Sequence, residues 1–320
     1  MTVDFLGIDI AKSKFDVALI KESKVKYKKF NNSVRGFNEL DGWLKKHGVA
    51  GLHACMEATS NYGEQLAAHL HNEGYAVSVV NPARIKGFAQ CQLSRTKTDK
   101  ADAVLIAQFC QAMKPTLWKP KPPHIYELQQ WVRRLESLQR MERQENNRLL
   151  SCVSAGVRES LADHIGTLRE QIKLAKKTIA QIIGSHDDLQ TKEVLLQSIP
   201  GIGDATVALI LAFFGNPQEF GSAKEVSAYL GLNPRQNQSG SSINRRTRIS
   251  KTGDSALRKA LYMPGLVAMR HNPIIHTFAQ NLLDRGKPKM AVVVASMRKL
   301  VHIAYGVLKN GQPFDPAWEK

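Results

Sequence analysis

The first eighty residues constrain the fold most, because three strand patterns precede any helix pattern. Short apolar or alternating runs bounded by turn residues predict strands, and apolar residues three and four positions apart predict helices. In chain order these patterns predict strands at 5–10, 15–20 and 24–30, a helix at 33–47, a strand at 52–57, a helix at 61–71 and a strand at 75–80. Asn61 and Glu64 resemble a capping box that opens the second helix. The order β-β-β-α-β-α-β predicts one α/β domain over residues 1–113.

The charge of the chain restricts its partners. Among 320 residues, 45 are Lys or Arg and 28 are Asp or Glu, which gives a formal net charge of +17. Such an excess favours a polyanionic partner, and nucleic acid is the leading candidate. The alternative is a basic surface that is only solvated. The length and an apolar content of 43% predict two or three units with ordinary cores.

Cysteine spacing and the apolar runs indicate the compartment. The four cysteines show no C-x-x-C spacing, so we expect reduced thiols rather than a zinc knuckle or a disulfide framework. Charged residues interrupt the first twenty positions, which does not fit a signal-peptide core. No uninterrupted apolar run approaches the length of a membrane span. We therefore expect a cytoplasmic protein with no membrane partner.

Four acidic residues form the candidate metal site of the first domain: Asp9, Glu57, Asp99 and Asp102. Asp99 and Asp102 are three residues apart at the start of a predicted helix, so both project from one helical face. Carboxylate oxygens are the ligands that a hard ion such as Mg²⁺ prefers. Each acid taken alone could instead end a strand or cap a helix. Other acids of this domain are expected at the surface or in caps, namely Asp4, Asp16, Asp41 and Glu64.

This order of strands, helices and acids resembles the ribonuclease-H-like fold of RuvC-type nucleases. The resemblance implies that Asp9 lies centrally between the metal ions and that Glu57 lies on the neighbouring strand. The helical pair would then complete the site. Two ions about 3.5–4 Å apart can hold the attacking and the leaving oxygen of a phosphoryl transfer.

Two basic segments are candidates for phosphate contacts. The first leads towards the acids and supplies Arg84, Lys86, Arg95 and Lys97; the second supplies Arg235, Arg245, Arg246, Arg248 and Lys251. Lys and Arg side chains of this kind bind the nucleic-acid backbone and position it. The alternative for the first segment is a solvated loop.

The middle of the chain predicts a spacer and a helical arm. Residues 114–124 carry four prolines and three lysines, which predicts an extended linker. Residues 125–186 follow with almost no glycine or proline. Apolar residues recur there at alternating spacings of four and three, which is typical of a coiled-coil seam: Leu161, Ile165, Leu168, Ile172, Ala175, Ile179 and Ile182. The seam leaves open whether the helices pair within one chain or across a dimer.

The C-terminal domain, residues 187–320, is predicted to be mainly helical and to contain two further motifs. Residues 195–209 fit a helix-hairpin-helix, in which Gly201 and Gly203 let backbone amides approach a phosphate. The alternative is a helical hairpin that serves only as core. Residues 236–242 form a polar loop that includes Ser239, Ser241 and Ser242. A serine beside arginines could attack a phosphodiester, although Ser-Gly runs are usually only flexible.

These segments together resemble the DEDD transposases of bacterial insertion sequences related to the Piv invertases. The resemblance rests on residues 6–12, 56–59, 80–83, 97–103, 198–203, 231–235, 239–242 and 257–263. It implies a Mg²⁺-dependent recombinase, with a two-metal site at Asp9, Glu57, Asp99 and Asp102. It also implies that Ser239 becomes joined covalently to DNA, with Ser241 and Ser242 close enough to compete for that role.

The same resemblance implies the partners. A structured non-coding guide RNA would pair with donor and target DNA, and dimers would pair into tetramers in a bacterial, nucleoid-associated complex. Two alternatives remain open. One is a RuvC-like junction nuclease that uses water as its nucleophile, and the other is a nucleic-acid scaffold without catalysis.

Overall fold

The computed structural model describes residues 3–58, 61–93, 98–239 and 243–317, without the side chains of Asn61 and of residues 236–246. It divides the chain into two units, Met1–Lys121 and Pro122–Lys320. Each unit has its own hydrophobic core.

The first unit is built on a five-stranded sheet in the order β3-β2-β1-β4-β5. Its strands are β1 (Asp4–Ile10), β2 (Lys14–Lys21), β3 (Lys24–Asn31), β4 (Leu52–Glu57) and β5 (Ala76–Val80). Its helices are α1 (Val34–Lys46), α2 (Glu64–Asn72), α3 (Pro82–Cys91) and α4 (Asp99–Met113). Strands β1, β2 and β3 pair antiparallel, whereas β1, β4 and β5 pair parallel. The predicted order β-β-β-α-β-α-β is confirmed.

Alternating side chains of the strands cover two faces of this sheet. Leu6 and Ile8 of β1 join a core that includes Leu40 and Leu44 of α1. Gly7, which lies between them, faces α4 on the opposite side. Helix α4 therefore packs against the face from which Asp9 also projects.

Two local expectations for this unit are wrong, and one alternative does not hold. Helix α2 begins after a short 3₁₀ turn and its N-cap is Gly63 without a side-chain bond, so Asn61 is not the N-cap that the capping box required. The residues around Arg84, for which a solvated loop was the alternative, form helix α3, because Asn81 caps it and Pro82 suits its first turn. Asp4 and Asp16 are buried rather than at the surface.

The segment after α4 lies along the edge strand β5, where we expected a free spacer. The Trp118 amide donates to the Val77 carbonyl at 2.7 Å. The Ser78 hydroxyl lies within hydrogen-bonding distance of the Pro115 and Thr116 carbonyls, at 3.1 and 2.9 Å. Because this segment covers the open edge of the sheet, it belongs structurally to the first unit.

The second unit opens with two long helices, α5 (Pro123–Ser151) and α6 (Ala155–Gly184). They are joined by three residues and pair with each other within one chain. Leu168 and Ile172 of the predicted seam pack against Leu138 of α5. An ion pair between Arg169 and Glu142, 3.0 Å from Nε to Oε1, connects the helices where the apolar seam of α5 stops. Helix α5 therefore pairs with α6 of the same chain.

The rest of the second unit is helical apart from one two-stranded ribbon. Its helices are α7 (Asp187–Gln197), α8 (Asp204–Phe214), α9 (Ala223–Tyr229), α10 (Ser255–Ala260), α11 (Tyr262–His271), α12 (Pro273–Asp284) and α13 (Lys289–Asn310). The ribbon consists of β6 (Pro234–Ser239) and β7 (Ile243–Ile249).

Helix α13 is, within the described ranges, the one helix long and apolar enough to cross a membrane by length and composition. It also packs against α7, α9, α11 and α12, and its apolar side chains, such as Leu300 and Val301, belong to the core. The core helix of a unit like this passes the same test of length and composition.

Candidate functional site

The parallel pairing of β1 and β4 brings two of the predicted acids to the same end of the sheet. Ile8 pairs with Met56, and Asp9 and Glu57 are the next residue on each strand. Both are half-buried. Neighbouring parallel strands lie about 4.8 Å apart, so the two carboxyl groups leave the sheet side by side.

Close packing of α4 on β1 brings the helical acids to the same place. A Cβ atom on Gly7 would lie 2.1 Å from the Ala103 carbonyl oxygen and 2.2 Å from the Ala107 nitrogen. Only glycine permits this approach of the two backbones. The Thr98 hydroxyl caps the helix by accepting from the Ala101 amide at 3.2 Å. Asp99 and Asp102 consequently occupy the first turn of a helix that starts beside Asp9.

The electrostatics of Asp9 show that these acids act on one another. Burial is the largest cause that raises the pKa of the Asp9 carboxyl from 3.8 to about 6, and repulsion from Asp102, Asp99 and Asp16 contributes to the same rise in that order, against a smaller lowering by Lys14. Like charges disfavour the ionised form unless a cation compensates them. Asp9 is therefore the central member of the set.

Sequence reasoning missed three residues of this site: Lys14, Asp16 and Tyr27. Asp16 faces Asp9 directly across the β1–β2 pair and is 2% exposed. The Tyr27 hydroxyl donates to Asp16, which raises the pKa of Tyr27 to about 12. The Lys14 ammonium forms ion pairs with Asp99 and with Asp16, the latter at 3.4 Å. The length of the turn between β1 and β2 fixes which residues of the two strands face each other. This length was the sequence signal that could have placed Asp16 opposite Asp9.

The donor set fits a hard divalent ion in its chemistry. All of the candidate ligands are carboxylate oxygens, and their mutual repulsion on Asp9 shows an excess of negative charge that a cation would relieve. In the part of the chain that the structure describes, no three acidic, His or Cys side chains converge closely enough to hold a metal ion. One reason is visible in the geometry, because Asp99 is directed to Lys14.

The basic residues next to the acids are only partly described. Arg84 and Lys86 are exposed on α3, and the Arg84 guanidinium lies 5.3 Å from the centre of the Phe109 ring. Arg95 and Lys97 lie outside the described residues.

The two glycines predicted to approach phosphate have different surroundings. Gly201 has a φ of +103°, and a Cβ there would lie 2.7 Å from Cβ of Ala268 in α11. The turn is held there by Asn272, whose side chain donates to the Pro200 carbonyl at 3.3 Å. Gly201 thus has a packing role within the unit, and its predicted contact with phosphate stays a prediction. Gly203 has open space around its Cβ position and is the N-cap of α8.

The serine segment begins as a strand, which corrects the loop expectation for residues 236–239. Ser239 is the last residue of β6 and pairs with Ile243, the first residue of β7. Its side chain, residues 240–242 and the side chains of Arg245 and Arg246 lie outside the described residues.

The base of this ribbon is both basic and anchored. Arg235 pairs with Arg248 across the two strands, and both are exposed. Lys251 is exposed just after the ribbon. The Ser250 amide donates to the Asn233 carbonyl at 2.8 Å, which fixes the two ends of the ribbon together. The facing guanidinium groups repel each other and favour an anionic ligand.

A mixed α/β unit in which Asp99 and Asp102 act on Asp9, in a chain with a large excess of basic residues, fits the class of DNA-acting phosphoryl-transfer enzymes. A family model for DEDD transposases of the IS110 type, described as "Transposase", matches residues 6–156. A second, described as "Transposase IS116/IS110/IS902 family", matches residues 193–280. The first match contains all four predicted acids, and the second contains Gly201 and Ser239.

Two similar proteins match almost the whole chain, and a third matches about half of it. The pilin gene-inverting protein of Moraxella bovis is 35% identical over 318 residues, which cover 98% of each chain. That of Moraxella lacunata has the same identity and coverage. An insertion element IS110 protein of Streptomyces coelicolor is 25% identical over 152 residues, covering 48% of this chain and 36% of that protein.

The chain belongs to the IS110 family of DEDD transposases. It is therefore a transposase or recombinase, an enzyme that acts on DNA. Membership implies dependence on a divalent metal ion and an oligomeric assembly.

Proposed function

We propose that this transposase catalyses Mg²⁺-dependent, RNA-guided cleavage and exchange of DNA strands through a covalent phosphoserine intermediate. Asp9, Glu57, Asp99 and Asp102 would hold the metal ions, and Ser239 would be the nucleophile. The observation that carries the proposal is the effect of Asp99 and Asp102 on Asp9, since acids from two distant segments act there on one group.

The metal part of the proposal rests on a RuvC-like arrangement of the first unit. Its sheet has three antiparallel strands followed by two parallel ones, with acids on the first strand, the fourth strand and a later helix. When bound, the Mg²⁺ ions would stabilise the charge that develops on the attacking and leaving oxygens of a phosphodiester. The four carboxylates of this chain would supply the oxygen ligands that hold the ions there.

The serine part rests on the charge of the ribbon. Ser239 Oγ would form a bond to phosphorus while the bond from phosphorus to a deoxyribose oxygen breaks. The arginines at the base of the ribbon, Arg235 and Arg248, favour binding of the phosphate backbone near that serine. A second strand can then attack the phosphoserine, which restores a phosphodiester without an added energy source.

Three partners belong to this proposal. Donor and target DNA supply the strands, and a structured non-coding RNA selects them by base pairing. The net charge of +17 favours binding of these DNA and RNA backbones, which are all negatively charged. Protomers would pair as dimers and then as tetramers, in the cytoplasm and associated with the nucleoid. The helical hairpin of α5 and α6 and the turn at Gly203 are candidate contact regions in such an assembly.

A RuvC-like nuclease that uses water is the second candidate. The observation in its favour is that the acids come together within one unit and without any residue of the ribbon. In that case the ribbon would bind phosphate without forming a covalent bond.

The deciding experiment incubates the purified protein with the flanking non-coding RNA and paired DNA ends, with and without Mg²⁺. Covalent protein–DNA adducts are then measured on denaturing gels for the wild type, Ser239→Ala, Ser241→Ala, Ser242→Ala and Asp9→Asn. We expect Mg²⁺-dependent adducts that only Ser239→Ala and Asp9→Asn abolish, while RNA binding is retained.

Other outcomes assign the role differently. An adduct that persists in Ser239→Ala but disappears in one of the neighbouring serine variants moves the nucleophile to that serine. Cleavage without any adduct, lost in Asp9→Asn and kept in Ser239→Ala, favours the nuclease.

A further inference from the structure

Lys14 forms ion pairs with two acids of the first unit, Asp16 and Asp99. Only Asp99 was predicted to belong to the metal site. Lys14 is the first residue of β2, and its ammonium pairs with Asp99 at the start of α4 and with Asp16 in the sheet. Its side chain is 30% exposed. The pair with Asp99 joins residues 85 positions apart, so it depends on the packing of α4 on the sheet.

Asp16 fixes one end of this arrangement. It is almost fully buried, it accepts a hydrogen bond from the Tyr27 hydroxyl, and it faces Asp9 across the strand pair. Asp99 differs, since its side chain is 55% exposed and it lies in the first turn of a helix. Lys14 therefore has one rigid partner and one accessible partner.

We propose that Lys14 is an internal counter-ion that competes with the divalent cation for the Asp99 carboxylate. This inference rests on the proposed metal site. A divalent ion that binds Asp99 must displace the ammonium from it, while Asp16 keeps the flexible Lys14 side chain close by. Lys14 is then a positioning residue that sets how tightly the site binds metal.

Charge and geometry support the competition. The Asp99 Oδ2 atom that pairs with Lys14 is one of the two carboxylate oxygens that an ion would use. An ammonium group next to a divalent cation also repels it. Lys14 also holds the pKa of Asp99 below its ordinary value, whereas the pKa of Lys14 itself is raised by Asp99. Each partner thus stabilises the charged form of the other.

Two described lysines nearby, Lys29 and Lys100, do not have this geometry. Lys29 lowers the pKa of Asp99 only through its charge, as a smaller cause than Lys14. Lys100 lies over the Tyr27 ring at 5.5 Å from its centre. Lys29→Gln is consequently a matched control, because it removes the same charge from the next strand without removing a direct pair with Asp99.

The test measures binding of Mn²⁺ alone to the full chain, without DNA or RNA, by calorimetry and by electron paramagnetic resonance of the free ion. We expect Lys14→Gln to bind Mn²⁺ on the order of tenfold more tightly than the wild type. Lys29→Gln should change the Kd by about threefold or less, because its charge is screened by solvent. Lys14→Arg, which keeps the charge, should remain close to the wild type.

Thermal unfolding gives a second readout. Without metal, Lys14→Gln should have a lower Tm than the wild type, because Asp16 and Asp99 then lack the ammonium group with which they pair. Added Mn²⁺ should raise its Tm by more than it raises that of the wild type.

The outcomes separate this inference from the metal site on which it rests. If the wild type shows no saturable Mn²⁺ binding that Asp9→Asn weakens, the metal site itself is wrong. If that binding is present, but Lys14→Gln binds Mn²⁺ no more tightly than Lys29→Gln does, the counter-ion role is overturned.

Discussion

The acid cluster of the first unit and the serine ribbon of the second are built with very different support. Asp9 and Glu57 lie on the central strands of a five-stranded sheet, and α4 packs directly on one of them through Gly7. Ser239 ends a strand of a two-stranded ribbon, which is fixed to its unit at the base. Isolated two-stranded ribbons are marginally stable in water.

This difference indicates which of the two proposed groups, the acids or the serine ribbon, is positioned by the fold alone. The acids are positioned by buried backbone, so their arrangement does not require a ligand. The ribbon presents Arg235 and Arg248 at facing positions, so we expect a bound polyanion to stabilise it. We expect the packing of α4 on β1, by contrast, to be the same with and without a ligand.

Hydrogen exchange would test this comparison most directly and has the largest expected effect. We expect the amides of β1 to exchange at least about a thousandfold more slowly than those of β7, since core strands open only with global unfolding. Guide RNA and DNA should slow exchange in β7 and leave β1 unchanged. Exchange of β7 as slow as that of β1 in the free protein would remove the distinction.

A pair of glycine variants would sharpen the account of the second unit. Gly201→Ala should lower the free energy of unfolding by about 2–4 kcal/mol, because its φ of +103° is strained for alanine and the new Cβ meets Ala268. Gly203→Ala should change it by only a few tenths of a kcal/mol, as expected where space is open and glycine is replaced at an N-cap. Urea denaturation of both variants measures the difference.

The same pair distinguishes packing from phosphate binding. We expect the DNA affinity of Gly201→Ala to be unchanged at temperatures where the variant is folded. A folded Gly201→Ala of wild-type stability with weakened DNA binding would support the phosphate role that the sequence motif predicted.

The acids could be predicted from sequence because their signal is chemical and ordered. Carboxylates at the ends of strands are uncommon. Asp9, Glu57 and the pair Asp99 and Asp102, taken in this order, therefore indicate a metal site even when no interatomic distance is known. The partners of these acids were missed for a physical reason. Lys14, Asp16 and Tyr27 meet through strand register, and a shift of one residue would move each to the opposite face.

The C-terminal unit contains information that single segments lack. Gly201 lies in a turn that its sequence predicts, but the residue against which it packs, Ala268, lies 67 positions later. The residues before Ser239 are polar and favour a loop by composition, yet they pair with β7 as a strand. Strand propensity depends on the partner strand more than on the residues themselves, and a single segment does not contain that information.

The pH dependence of stability gives the smallest expected effect and tests the acid cluster alone. Because the pKa of Asp9 is about 6 in the folded protein and near 3.8 when unfolded, the folded state binds more protons between these values. The free energy of unfolding should therefore fall as pH rises from about 4 to 6, by about 1 kcal/mol for a partly exposed group. Asp9→Asn should lack this slope.

The urea midpoints of the wild type and of Asp9→Asn, measured in EDTA from pH 4.5 to 7.5, should therefore converge towards acid pH and separate at higher pH, with the variant more stable at pH 7. If the two curves are parallel, the pKa of Asp9 is not raised by burial and by the other acids. The electrostatic argument that these acids lie close together in the first unit would then be wrong.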